Sequence, residues 1–314
     1  MTDQNADTES YDNKIIKVLI IKHGSLGDIF MSLDSINSIR SHFGKNIYFC
    51  TTTSGKKALI DLGFNFNFIL DFRSKNPLKF ISILYNIIKE DFDYIIDLQN
   101  SRRTCAYIAI LNFFKKSIIS STCPSASHRY TPPPHGTHHV SQGLKEQLKI
   151  INIKTKKYIE NITHNKNHIK NHSVLIVPGS SIRGKHKRWP IEYYNELIKK
   201  FLEINFNCFI IGGDEDLDIS SKIIQHSKVH NLIGSSPWKK VIKLALNANI
   251  AISNDTSNMH LISNLGCPTI AIIKKGPMVI SNAPSNDKSF CFVDSDIFKI
   301  KPNAVFKKVQ EIVS

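Results

Sequence analysis

Residues 17–33 read KVLIIKHGSLGDIFMSL. The branched run VLII shows no apolar–polar alternation, as expected of a strand covered on both faces. Gly24 and Gly27 then let the backbone turn sharply and come close to a neighbour or a ligand. A helix is expected from near Leu26. Asp28 falls in its first turn, where a carboxylate stabilises the positive end of the helix dipole. Strand, glycine turn and helix in this order open a parallel α/β sheet. The turn is not the dinucleotide fingerprint, which needs a third glycine and a later acid for the ribose.

The same grammar repeats outward from this unit. Strands are predicted at 18–22, 47–51, 94–98 and 117–121, with a helix over 101–114. The stretch CPSASHRYTPPPHGTHH (123–139) interrupts regular structure and reads as a flexible loop. A helix follows over 140–150. The polar, basic segment 154–172 is placed as an interdomain linker. Beyond it, strands are predicted at 174–177, 208–211, 229–232, 250–253 and 269–273, with a helix over 191–204. Helices also start at Pro237 and at Asn254–Asp255. The chain divides into an acidic disordered tail (1–13), a first domain (14–153), the linker and a second domain (173–314).

At 314 residues both domains can bury a core. The apolar runs near 80–88 and 106–114 are too short to span a bilayer and read as buried helix faces. The start of the chain lacks the basic flank and apolar run of a secretion signal, so a cytoplasmic location is expected. Six scattered cysteines without a Cys-x-x-Cys pair argue against a disulfide framework and a thiolate zinc site, and point to a reducing compartment. The net charge of +15 favours an anionic partner. No nucleic-acid module is present and aromatics do not interleave with the basic runs, so nucleic acid is excluded as that partner. Arginines are few, yet Arg102, Arg103, Arg183 and Arg188 all fall in two loops after predicted strands. Their planar forks suit phosphate and carboxylate.

Two further segments carry candidate chemistry. In VPGSSIRGKHKRWPIEYY (177–194) a strand ends at Pro178-Gly179, and two serines and a basic loop lead to a helix with Pro190 at its first position. Hydroxyls and cations at the mouth of a parallel sheet suit a diphosphate. In SNDTSNMHLISNLGCPTIAII (253–273), Asp255, Thr256 and Ser257 stand at a helix start with His260 one turn on. The unpaired N–H groups of such a start bind anions. The loop histidines His128, His135, His138 and His139 share no acidic or thiolate partner at ligand spacing, so no metal site is assigned.

Together GSLGD (24–28), IIDLQN (95–100), PGSS…KRWP (178–190), GGDED (212–216) and NDTSNMH (254–260) resemble, in order and spacing, glycosyltransferase family nine, the ADP-heptose:lipopolysaccharide heptosyltransferases. The resemblance spans about residues 15–275. It departs at Ser257, where the family has glycine, and at Lys274–Pro277, where the family has F-G-P-T-D-P. The resemblance implies a GT-B architecture: two Rossmann-like α/β domains with parallel sheets facing across a cleft. The first takes the acceptor and the second the nucleotide sugar. It further implies an inverting, metal-independent transfer without cofactor, of heptose from ADP-heptose to a lipopolysaccharide core or related anionic glycolipid, by an enzyme peripheral to the inner membrane. Carried over to this sequence, Asp28 is the catalytic base and Lys187 neutralises the departing diphosphate. Ser180, Ser181, Arg188, Asp214, Asp255, Thr256, Ser257 and His260 are placed on the donor, and Gly27, Gln99, Arg102 and Arg103 on the acceptor. The alternatives are the same fold using another nucleotide sugar and a catalytically silent nucleotide- or glycan-binding protein.

Overall fold

The computed structural model describes residues 16–114, 116–163 and 171–313; the expected acidic tail 1–13 and part of the expected linker lie outside them. Two six-stranded sheets form, and every strand pairing described is parallel. The first contains β1 (Val18–Ile21), β2 (Ile47–Thr51), β3 (Asn67–Leu70), β4 (Tyr94–Asp97), β5 (Ile118–Ser121) and β6 (His128–Arg129) in the order β3-β2-β1-β4-β5-β6. The second contains β7 (Ser173–Val177), β8 (Asn207–Ile210), β9 (Val229–Asn231), β10 (Ile250–Asn254), β11 (Thr269–Lys274) and β12 (Phe290–Asp294) in the order β12-β11-β10-β7-β8-β9. The continuous apolar runs lie at the centre of each sheet: β1 and β7 are buried along their whole length. This is the GT-B arrangement of two Rossmann-like domains expected above.

The helices are α1 (Leu26–Phe30), α2 (Leu33–Phe43), α3 (Thr53–Asp61), α4 (Pro77–Lys89), α5 (Arg102–Phe114), α6 (Val140–Ile150) and α7 (Tyr158–Thr163) in the first half. The second half has α8 (Ile191–Glu203), α9 (Leu217–Ser220), α10 (Trp238–Asn247), α11 (Ser257–Asn264) and α12 (Pro302–Val313). Several expectations are corrected. β3, β12 and the two-residue β6 were not foreseen, and β6 lies inside the expected loop. Pro190 is the residue before its helix rather than the first within it, and α11 starts at Ser257, later than expected. The segment expected to be linker includes α7, whose Tyr158 is buried, donates from its hydroxyl to the Leu62 carbonyl (2.6 Å) and from its N–H to Asp34 (2.9 Å). The runs near 80–88 and 106–114 do not bury whole faces: Ile81, Tyr85, Phe113 and Phe114 are exposed. Cys105 and Cys123 are joined by a disulfide, with Cα atoms 5.2 Å apart, against the expectation of none. Eighteen residues separate them in sequence, and only the return from α5 to β5 makes them neighbours.

The two domains share apolar surface. A single buried cluster runs from Ile20, Ile29 and Phe30 to Ala245, Leu261 and Ile262. Within it the Phe30 ring meets Trp238 of α10 edge-on at 4.9 Å, the geometry an aromatic quadrupole favours. A second bridge comes from the histidine-bearing loop, which is docked rather than free. His139 accepts from the Ser141 N–H through Nδ1 (3.1 Å), so Nε2 carries the proton and donates to the Ala283 carbonyl (2.8 Å). The Val140 N–H donates to Ser281 (3.3 Å), and Gly136, at φ +81°, leaves no room for a side chain against the Pro277 carbonyl.

Both tryptophans, Trp189 and Trp238, lie in the second half of the chain, whereas Phe30 is in the first. Phe30→Ala should cost about 3–5 kcal/mol, and urea unfolding followed by tryptophan fluorescence should register that loss. An unchanged midpoint at these reporters would mean that the two domains do not share a cooperative core.

Candidate active site

On the first domain, α1 begins with a reciprocal cap. The Ser25 hydroxyl accepts from the Asp28 N–H (3.3 Å), while the Ser25 N–H (2.8 Å) and hydroxyl (2.9 Å) both donate to Asp28 Oδ2. Asp28 Oδ1 takes no hydrogen bond from the described residues. Gly24 is required because the Asp28 carboxylate sits where its Cβ would be. Gly27 lets the other side approach closely: a Cβ there would lie 3.2 Å from Cδ2 of His260 in the second domain, so a larger residue would crowd the ring. Behind the turn, Lys22 is buried and donates to the Leu98 carbonyl (2.9 Å); burial pulls its pKa down, with Asp28 and Asp97 opposing. Asp97 ends β4 by accepting from the N–H groups of Gln99 and Asn100 (both 3.0 Å), which explains the D-L-Q-N spelling as a carboxylate-capped turn.

On the second domain, Asn254 joins two of the motifs. It accepts from the Trp189 N–H (3.1 Å) and donates to the Pro178 carbonyl (2.7 Å), so the turn after β7 and the tryptophan before α8 are held to the end of β10. The Asp216 carboxylate occupies the space beside Gly179, accepting from the N–H groups of Ser180 (3.0 Å) and Gly213 (3.1 Å) and from Arg188 (2.7 Å). Arg188 also reaches Asp218 (3.1 Å) and the Ser180 hydroxyl (3.1 Å). Thr256 caps α11, its hydroxyl accepting from the Met259 N–H (3.4 Å). Ser257 adopts helical geometry as the first residue of α11, so the missing family glycine is not needed for a left-handed backbone. Lys187 lies 3.7 Å from Asp255. Burial raises the Asp255 pKa, and Lys187 opposes that rise.

These two helix starts face one cavity of about 370 Å³. Of the predicted residues, Gly27, Asp28, Ser180, Ser181, Asp255, Thr256, Ser257 and His260 line it, and Lys187 is tethered to it through Asp255. Others are placed elsewhere. Arg188 is committed to Asp216 and Asp218, and Asp214 is exposed outside the cavity while Asp216 lines it. Arg103 forms a bidentate pair with Asp71 (3.0 and 3.1 Å), Gln99 accepts from the His23 N–H (3.2 Å), and Arg102 stands exposed on α5; none of the three lines the cavity. Asn258 and Asn282 line it without having been foreseen. The Asn258 side-chain oxygen is buried with no partner among the described residues, as a group awaiting a donor would be. Its place in NDTSN beside the helix start was the available signal. Among the described residues no group of three His, Cys, Asp or Glu side chains could hold a metal.

Residues 82–297 match the family model for glycosyltransferase family 9 (heptosyltransferase). A lipooligosaccharide heptosyltransferase 2 of Haemophilus ducreyi is 27% identical over 133 residues, 40% of this chain and 38% of that protein. The chain therefore aligns with less than half the length of this curated relative. Among solved structures, E. coli ADP-heptose lps heptosyltransferase II superposes with a TM-score of 0.71 at 14% identity, covering 95% of this chain and 98% of the other. E. coli heptosyltransferase WaaC with ADP-2-deoxy-2-fluoro heptose gives 0.73 at 14% identity, covering 94% and 99%. At such identity the structures establish the fold.

His260, packed against Gly27, gives the site a pH dependence of stability. Burial, aided by His139, pushes its pKa down to about 4, with Asp28 opposing. Unfolding frees the imidazole to bind a proton below its ordinary pKa, so stability falls as pH drops from about 6.5 towards 4. The loss attributable to this group is roughly 3 kcal/mol. His260→Gln should flatten that part of the stability–pH curve in urea titrations. An unaltered slope would remove His260 as its source.

Proposed function

The chain belongs to glycosyltransferase family 9, and from that premise we propose that it is an inverting, metal-independent transferase moving heptose from ADP-heptose onto a lipopolysaccharide core or related glycolipid. The observation that carries this reading is the shared cavity, in which a carboxylate from one domain and a helix start from the other stand together. Inversion by direct displacement needs this pairing: a proton acceptor at the attacking hydroxyl and positive potential at the departing diphosphate. The acceptor oxygen attacks the anomeric carbon, the bond from that carbon to the diphosphate oxygen breaks, and the hydroxyl proton passes to Asp28. Because Oδ2 is held by Ser25, Oδ1 is the oxygen assigned to that proton. The developing charge on the diphosphate falls to the N–H groups that open α11 and to Lys187, whose half-exposed side chain can leave Asp255 for a stronger anion. This positive charge takes the place of a divalent ion.

We assign residues 14–153 to the acceptor and 173–314 to the donor. The relatives' printed names support the donor and acceptor classes, and the protein's excess positive charge suits a phosphorylated glycolipid. No helix among the described residues is long and apolar enough to cross a membrane. We place the reaction on the cytoplasmic side of the inner membrane. The Cys105–Cys123 disulfide is a feature that a reducing compartment disfavours.

Turnover with ADP-heptose and a heptose-acceptor glycolipid tests the assignment. Asp28→Asn should lower turnover by about 100- to 10,000-fold while nucleotide affinity and melting temperature barely move. Full activity in this variant would leave the reaction without its base. Lys187→Ala should weaken ADP binding by about 1.5–3 kcal/mol, read by calorimetry. A chelator should leave turnover unchanged; loss of activity restored by magnesium or manganese would refute the metal-free mechanism.

A further inference from the structure

The helices α4 and α5 lie side by side over the face of the first sheet that is turned from the second domain. Their inner sides close a separate cluster containing Leu19, Ile21, Ile83, Leu84, Tyr107 and Ile108, all from the first domain. Phe80 of α4 packs on Tyr107 of α5 at 4.9 Å, so the two helices present one outer surface. That surface exposes several large apolar side chains to solvent. On α4, Leu78 (73% exposed), Ile81 and Tyr85 stand three and four residues apart, which is one stripe along a helix. On α5, Phe113 is 89% exposed with Phe114 beside it, and Phe72 extends the surface through the loop before α4. Large apolar side chains gathered this way mark an interaction site.

The charge around the stripe has a single sign. Between residues 72 and 89 stand Arg73, Lys75, Lys79 and Lys89 and no acid; Arg102 opens α5 and Lys116 follows it. All six are exposed. Of the acids at the two ends, Asp71 is engaged with Arg103 and Tyr107 and Glu90 with Lys17, while Asp91 is exposed just past the end of α4. Two copies meeting through this face would set cation against cation, so the surface does not suit self-association. An apolar stripe ringed by cations fits a layer whose outside is anionic and whose inside is hydrocarbon. We propose that the outer surface of α4 and α5 seats on an anionic lipid leaflet, apolar side chains entering the acyl boundary and the cations meeting the headgroups. Arg103 holds the loop before α4 to the first domain by bonding both Asp71 and the Ser74 carbonyl (2.9 Å), which fixes how the domain stands on that leaflet. The inference rests on the inner-membrane placement proposed above and names the surface that would make it.

Co-sedimentation of the full chain with phosphatidylcholine vesicles, with and without phosphatidylglycerol, tests it. The protein should partition onto the anionic vesicles and be released by salt. Ile81→Ser with Phe113→Ser should weaken partitioning about tenfold. Lys75→Glu with Lys79→Glu should weaken it by more than about tenfold, since each cation near a charged surface is worth roughly a fivefold factor. Phe298→Ser, at an exposed phenylalanine of the second domain, should change nothing. All variants should keep ADP binding and melting temperature, which separates a failure of this surface from a failure of the functional assignment. Equal partitioning onto neutral vesicles, none onto either kind, or indifference to the α4 and α5 substitutions would overturn the proposal. So would a dimer in solution that Ile81→Ser dissolves, because the face would then belong to a second copy.

Discussion

Gly27 of α1 packs directly against His260 of the other domain: a Cβ there would stand 3.2 Å from the ring, closer than side chains ordinarily pack. That contact fixes how closely α1 and α11 approach, and the rest of the site depends on it. Drawn together, the two helices bring Asp28 and Thr256 to the same cavity. The approach also lets Phe30 reach Trp238 and merges the apolar residues of both domains into one cluster. The imidazole is kept uncharged by the same burial. A charged ring at this position would have to be desolvated without an ion-pair partner, a cost that a protein interior rarely sustains.

The central elements were legible because their information is local. VLII followed by a glycine turn is a buried strand leaving a parallel sheet, and residues 140–150 and 191–203 carry clear helical faces. The edge strands were not legible for the opposite reason. NFIL of β3 and FCFVD of β12 are short, partly exposed strands at the sheet edges, and neither leads into a glycine turn. Short edge strands take much of their definition from the neighbour they pair with.

In the site, the residues at helix starts were foreseen because a turn with glycine, serine or threonine announces itself. The engagement of Arg103 and Arg188 was not legible because their partners, Asp71 and Asp216 with Asp218, lie outside the arginine loops. A guanidinium in a loop says only that it can hold a carboxylate or phosphate; the fold decides which. Asp214 and Asp216 show the same limit. Both follow the Gly-Gly turn, and only the contact with Gly179 sends the second inward. The hint lay in Gly179 itself, whose bare backbone makes room for that carboxylate.

The docking of Gly136 against Pro277 bears on how this sequence can be altered. The loop carrying Gly136 and His139 rests on Pro277, Ser281 and Ala283 of the second domain. The two stretches lie in different domains and some 140 residues apart, yet they pack as one unit. A chimera that exchanged residues 277–283 without the histidine loop would take away that loop's seat. The module for exchanging this part of the second domain is therefore discontinuous, and its boundary crosses the cleft.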